Sequence, residues 1–339
     1  MKKNLTIAGR KIANFERPFL VAEAGINHNG SLALAKKMIV AARDAGADAV
    51  KFQFFQDNKL INPYIKESTA VIRILSKYSL TPEKVRELKK FSDKAKMLFF
   101  VTPFDLKAAA FCETLDMRLY KIASGDINNF LLLEAVAKTK KPVFFSTGAA
   151  SLKEVDTAFG IMKRWNETLV PLHCVSLYPA QPGEMNLRTL TFFQERYRVP
   201  VGLSDHSLGT KVMEWAGVLG AAVIEKHFTL DRNLEGPDQK LSVNPAELEQ
   251  TRRTIDEIVT SLGQTGKKPD PKELKGNYWG RRSFVAVKKI DPDDEITVQN
   301  MEPLRPQKGL PASSAFNLLG RKAKRTIKEG EFIRLEDLR

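Results

Sequence analysis

Only four histidines occur in the 339-residue chain. Two of them close short apolar runs: His206 in SDHSLGT (204–210) and His227 in IEKHFTL (224–230). Two imidazoles with a carboxylate nearby suit a divalent transition metal, Mn2+ or its neighbours in the series. Each histidine taken alone reads more readily as a satisfied core residue than as a ligand.

Other reactive side chains sit at matching places. Glu23 lies in FLVAEAG (19–25). Lys51 and Gln53 alternate with Val50, Phe52 and Phe54 in DAVKFQFF (48–55). Thr102 lies towards the end of MLFFVTPF, and Lys121, Ser124 and Asp126 lie in LYKIASGD. Ser146 ends KPVFFSTG, Ser176 and Tyr178 follow TLVPLHC, and Ser204 precedes His206. A strand buried on both faces is normally apolar throughout. Lys51 and Gln53 break that pattern on one face, which points them into a polar mouth. Two lysines among hydroxyls and backbone amides suit an anionic, phosphorylated ligand.

These residues need a scaffold that gathers strand ends. Eight short apolar runs recur between residues 19 and 228, mostly separated by amphipathic stretches of helical length. In SLALAKKMIVAARDAG, Ser31 can cap the start and Gly46 the end, with Leu32, Ala35, Ile39 and Ala42 at helical spacing. Eight strand–helix units predict an α/β fold, a (β/α)8 TIM barrel whose site lies at the C-terminal ends of the strands. A doubly wound sheet is the rival. It calls for a glycine-rich turn after the first strand, and EAGINHNGS does not match G-x-G-x-x-G. In a closed barrel His206 and His227 end adjacent strands and stand side by side, which brings one shared metal level with the structural reading.

The barrel is expected over 1–263. Residues 264–278, QTGKKPDPKELKGNY, are polar and rich in Pro, Gly and Lys, and read as a linker. Residues 279–339 alternate short β runs with turns, a small β-rich domain.

A formal charge of +14 allows solvated surface, an acidic small substrate or nucleic acid. The basic residues are spread thinly except near the C-terminus in GRKAKRTIKEG, and no zinc-finger, RRM or KH pattern accompanies them, so no nucleic-acid partner is expected. No run of about 20 apolar residues predicts a membrane span. MKKNLTIAGRKIANFERPF lacks the apolar core of a signal peptide. Cys112 and Cys174 make no disulfide framework. The expected setting is cytoplasmic.

VAEAGINHNGSLALAKKMI, GADAVKFQ, TPFD, YKIASGDINN, STGAAS, HCVSLYP, GLSDHSLG and IEKHFTLDRNLEGPDQKLS resemble the sialic acid (N-acetylneuraminate) synthase family, which includes the pseudaminic and legionaminic acid synthases. The tail, with RRSFVAVKKI, LRP and LLGRKAKRTIKEGE, resembles its antifreeze-like (SAF) domain. The resemblance implies condensation of phosphoenolpyruvate with an N-acetylated aminosugar, N-acetylmannosamine first and a 2,4-diacetamido-trideoxyhexose as the alternative. It implies that Lys51, Gln53, Thr102, Lys121, Ser124, Ser146 and Ser204 hold phosphoenolpyruvate. His206 and His227 would bind the metal, Mn2+ before Mg2+ or Co2+, and Glu23 would orient or deprotonate a water. Asp126, Ser176, Tyr178 and Asp238 would face the sugar. Arg305 would reach the site of a neighbouring subunit in a domain-swapped homodimer. Some family members carry Asn in place of Ser176 and Glu in place of Asp126, so sugar identity stays open.

Two other readings stand beside this one. A Schiff-base aldolase would use Lys51 or Lys121 as the amine. A binding protein for nucleic acid or ice would use the basic tail.

Overall fold

The computed structural model describes residues 4–55 and 60–339. The chain divides after Gly263 into two compact units, the second running Gln264–Arg339.

The first unit begins with a hairpin, β1 (Asn4–Ile7) and β2 (Arg10–Ala13), paired antiparallel. Eight parallel strands follow: β3 (Phe19–Gly25), β4 (Ala49–Phe54), β5 (Leu98–Pro103), β6 (Tyr120–Ile122), β7 (Val143–Ser146), β8 (Leu169–Cys174), β9 (Gly202–Asp205) and β10 (Val223–His227). Their lateral order is β5-β4-β3-β10-β9-β8-β7-β6. The last strand therefore pairs with the first, Val223 opposite Phe19 and His227 opposite Glu23. A doubly wound sheet does not close in this way; this is a nearly closed TIM-type barrel, with no ladder between β5 and β6 among the described residues.

Local sequence explains the helices that return the chain. Ser31 accepts the Leu34 amide and starts the helix Leu32–Asp44. Gly46 follows it at φ +80, where a Cβ would press within 3.0 Å of the Arg252 side chain. The outward-facing residues Leu20, Ala22, Val50, Phe52 and Ile224 pack against the helical ring.

Inside the barrel, two layers differ in kind. The lower layer is apolar, with Phe19, Val21, Phe100, Phe144, Leu172 and Val223 packed against Leu5, Ile7 and Ile12 of the hairpin. The basic N-terminal stretch thus furnishes the barrel floor, a role its charge concealed. The upper layer is polar.

The second unit has its own apolar core, including Phe284, Ile290, Ile296, Ile327 and Ile333. It pairs β11 (Ser283–Ala286) with β12 (Met301–Leu304), and isolated bridges complete the β structure. The segment read as a linker, 264–278, is not featureless. It holds a helical turn at Pro271–Leu274 and enters another at Asn277–Gly280. A capping box explains the first, since Asp270 accepts the Lys272 amide and Glu273 returns to the Asp270 amide.

Cys112 and Cys174 are free and buried. Among the described residues no helix is long and apolar enough to cross a membrane.

Candidate active site

The C-terminal strand ends enclose a cavity of about 230 Å3. Its wall takes Glu23 from β3, Lys51 and Gln53 from β4, Thr102 from β5 and Lys121 from β6. Ser124 comes from the turn after β6, Ser146 from β7, Ser176 and Tyr178 from the loop after β8, Ser204 from β9, His206 from the residue just after it, and His227 from β10. Strand alternation gathers seven of them: Glu23, Lys51, Gln53, Thr102, Lys121, Ser146 and His227 each lie an even number of residues from an apolar side chain of the lower layer in the same apolar run. Twelve of the fifteen residues singled out from sequence meet there.

Three do not line it. Asp238 stands just behind, with Oδ2 3.8 Å from His227 Nδ1. Asp126 lies half-buried on the turn after β6, taking a 3.5 Å hydrogen bond from Asn129, and burial raises its carboxyl above the usual range. Arg305 belongs to the second unit, exposed just after β12.

Two amines and two carboxylates alternate inside the wall. Lys51 Nζ is 2.6 Å from Glu23 Oε2 and 3.9 Å from Glu225 Oε1, and it donates to Thr102 Oγ1 at 3.0 Å. Lys121 Nζ is 2.8 Å from Glu225 Oε1, which also accepts from Ser204 Oγ at 3.1 Å. The carboxylates diverge. Burial, reinforced by Glu225, pushes Glu23 up to about 7 against the pull of Lys51. Lys121 and Lys51 hold Glu225 down at about 2 despite its burial. One carboxyl is thus able to exchange a proton near neutrality while the other remains an anion.

Glu225 received no role from sequence. The available signal was its phase, because Val223, Glu225 and His227 share one face of β10. Gly148 was likewise unassigned. Its amide donates to Ser124 Oγ at 2.9 Å. A Cβ there would fall 2.2 Å from Ser176 Oγ and 2.9 Å from Ser124 Oγ. Only glycine lets that loop press both hydroxyls into place.

The four histidines separate cleanly. His28 accepts the Gly30 amide at Nδ1 and packs on Phe52. His173 faces outward, with Nε2 2.6 Å from the Met185 carbonyl. His206 and His227 face the cavity with ring centroids 5.4 Å apart. His206 Nδ1 lies 2.8 Å from the Val175 carbonyl. Only a protonated Nδ1 can donate there, which leaves the Nε2 lone pair free. His227 Nδ1 is buried without a hydrogen-bond partner. Burial lowers both rings below the ordinary histidine range, His227 strongly, so both are neutral and able to ligate. Tyr178 stacks on His206 at 4.1 Å.

A divalent cation fits this donor set: two neutral imidazoles, one with an unpartnered buried nitrogen. No group of three or more His, Cys, Asp or Glu residues among those described could hold a metal. An ion here would complete its shell with water or substrate, as catalytic sites with open positions do.

The NeuB family model matches residues 38–267, and the SAF domain model matches residues 281–339. The chain belongs to the NeuB family. This NeuB-family protein is 38% identical to the N,N'-diacetyllegionaminic acid synthase of Campylobacter jejuni over 94% of the chain and 99% of that protein. It is 32% identical to the pseudaminic acid synthase of Helicobacter pylori, covering 95% and 98%. Among solved structures, the N-acetylneuraminic acid (sialic acid) synthetase of Leptospira borgpetersenii matches at 36% identity and a TM-score of 0.77, covering 81% of this chain and 95% of that one.

Proposed function

We propose that the protein condenses phosphoenolpyruvate with an N-acetylated aminosugar, giving a nonulosonic acid and phosphate. The observation that carries this reading is the cavity itself, where Lys51 and Lys121 stand among hydroxyls and share the wall with two imidazoles. Lys51 and Lys121 take the phosphate and carboxylate, aided by Gln53, Thr102, Ser124, Ser146 and Ser204. Both amines are held by carboxylates at 2.6 and 2.8 Å, which favours anion binding over Schiff-base chemistry.

The C2=C3 π pair of phosphoenolpyruvate forms the new bond from C3 to the sugar aldehyde carbon; the aldehyde C=O π bond breaks to an alkoxide that takes up a proton from solvent, and C2 becomes cationic. Water adds at C2 and gives its proton to Glu23, whose raised affinity for protons suits a base. The bond from C2 to the phosphate oxygen then breaks as the C2 hydroxyl gives up its proton and becomes the keto group, releasing phosphate stabilised by the lysines. His206 and His227 would hold a divalent cation, Mn2+ before Mg2+ or Co2+, which supplies Lewis-acid polarisation of an oxygen. Tyr178 and Ser176 line the cavity and would meet the sugar, with Asp126 and Asp238 behind them. Arg305 would serve the site of the partner in a domain-swapped homodimer, and we assign the enzyme to the cytoplasm.

Identities of 38% with a legionaminic acid synthase and 36% with a sialic acid synthetase support both acceptors, N-acetylmannosamine first and a 2,4-diacetamido-trideoxyhexose as the alternative. The test is phosphate release from phosphoenolpyruvate with each sugar, with mass detection of the product. Release with neither sugar, in the presence of Mn2+, overturns the proposal.

A further inference from the structure

On the outer face of the barrel wall, behind the two imidazoles, lies a fully buried ion pair. Asp205 and Lys226 are register partners on β9 and β10. Both side chains are 0% exposed, and Lys226 Nζ stands 2.8 Å from Asp205 Oδ2. The same amine donates to the Ser207 carbonyl, while Asp205 Oδ1 accepts the Ser207 amide at 2.8 Å. These three bonds close a turn around the single residue between Asp205 and Ser207, which is His206. Lys226 is itself the residue before His227. Because side chains alternate across a strand, fixing Asp205 and Lys226 outward fixes the histidines inward.

The turn also receives the loop that carries Tyr178. The Ala180 amide donates to the His206 carbonyl at 3.1 Å, two residues beyond the ring that stacks on His206. One amine therefore ties together two strand ends and steadies the docking point of a third loop.

Stability does not account for the pair. Desolvation of two buried charges roughly cancels their attraction, and apolar residues of similar volume are often equally stable. Neither side chain lines the cavity, so neither acts on substrate. What remains is geometry.

We propose that the Asp205–Lys226 pair is a positioning device that sets the spacing and orientation of His206 and His227. It rests on the reading that these imidazoles hold a divalent cation. Outer partners of ligating histidines typically change metal affinity by about 10–100-fold when removed.

The experiment compares the full-length protein with the Asp205→Leu/Lys226→Met variant, which removes both charges and leaves neither unpaired. After EDTA treatment, Mn2+ is titrated by calorimetry, and histidine 15N spectra report the ring tautomers without metal. The expected result is an unfolding midpoint within a few degrees of wild type and a Mn2+ affinity lower by about 10–100-fold. His206 should also lose its single Nδ1–H form and become a tautomer mixture. Wild-type affinity together with an unchanged tautomer overturns the proposal. If the wild type itself binds no Mn2+, the metal reading fails, and the tautomer spectrum alone decides the positioning role. Should the double variant not fold, the isosteric Asp205→Asn is read by the same two measurements against the same criteria.

Discussion

Lys51 Nζ lies 2.6 Å from Glu23 Oε2, and the two residues are register neighbours on β4 and β3. The barrel wall, not a mobile loop, therefore fixes the relation between a cation and the carboxyl assigned as base. Lys51 opposes the rise in proton affinity that burial imposes on Glu23. An anionic substrate drawing on Lys51 would weaken that opposition and leave Glu23 a better base.

Lys121 tests the anion-binding half of the site. Its amine is buried and pairs with Glu225 at 2.8 Å. Lys121→Met should keep the fold and lower phosphoenolpyruvate affinity about 10–100-fold, the loss expected for a charged hydrogen bond of about 1.5–3 kcal/mol. Calorimetry checks it; unchanged affinity removes Lys121 from the site.

The two histidines test the metal half. His206→Ala or His227→Ala should abolish turnover while circular dichroism and the unfolding midpoint stay close to wild type. EDTA should silence the wild type and added Mn2+ should restore it. A double variant that still binds Mn2+ stoichiometrically and turns over would falsify the assignment.

Much of this site was legible because barrel strands obey a two-residue period. Lys51 and Gln53 interrupt the second apolar run of the sequence, which forms β4, and both line the cavity. Glu225 obeys the same period, yet pairing with two lysines is a matter of cross-barrel distance that linear order does not carry. Gly148 was hidden for another reason: a glycine's role lies in the atoms that approach it. The N-terminal hairpin was obscured by its charges, since Leu5, Ile7 and Ile12 alternate with polar residues that face outward. The helical turn at Pro271–Leu274 was legible in DPKE, whose capping pattern outweighs the loop-like composition around it.

His28 sets an acid limit on stability. Burial first, then Lys84, lowers its ring to about 4 from an ordinary 6.5. Below pH 6.5 the unfolded chain binds a proton that the folded chain refuses until about pH 4. Stability is thus complete above that window, falls through it by about 3 kcal/mol, and levels off below. His28→Asn keeps an acceptor for the Gly30 amide and does not titrate. Its urea midpoints should show a shallower loss between pH 6.5 and 4 than wild type, whatever constant packing cost it adds. Parallel curves would assign the acid sensitivity elsewhere.

Arg305 tests the exchange of small units. Residues 264–270 precede the first helical turn of the second unit, and extended they span at most about 25 Å. The turns at 271–274 and 277–280 rise only about 1.5 Å per residue, so the reach is shorter than a fully extended tether from 264 to 278 would give. It still permits a unit to serve a second barrel held close by, and exchange of identical elements is a low-cost route to a dimer. Arg305→Ala alone and His206→Ala alone should each be inactive. Co-refolding the two should recover part of the activity, because one site of the mixed dimer then receives an intact His206 and an intact Arg305 from different chains. The measurement is turnover of the mixture, with subunit exchange verified by native mass spectrometry. If mixed dimers form and remain inactive while each variant is folded and dimeric, Arg305 does not act between subunits.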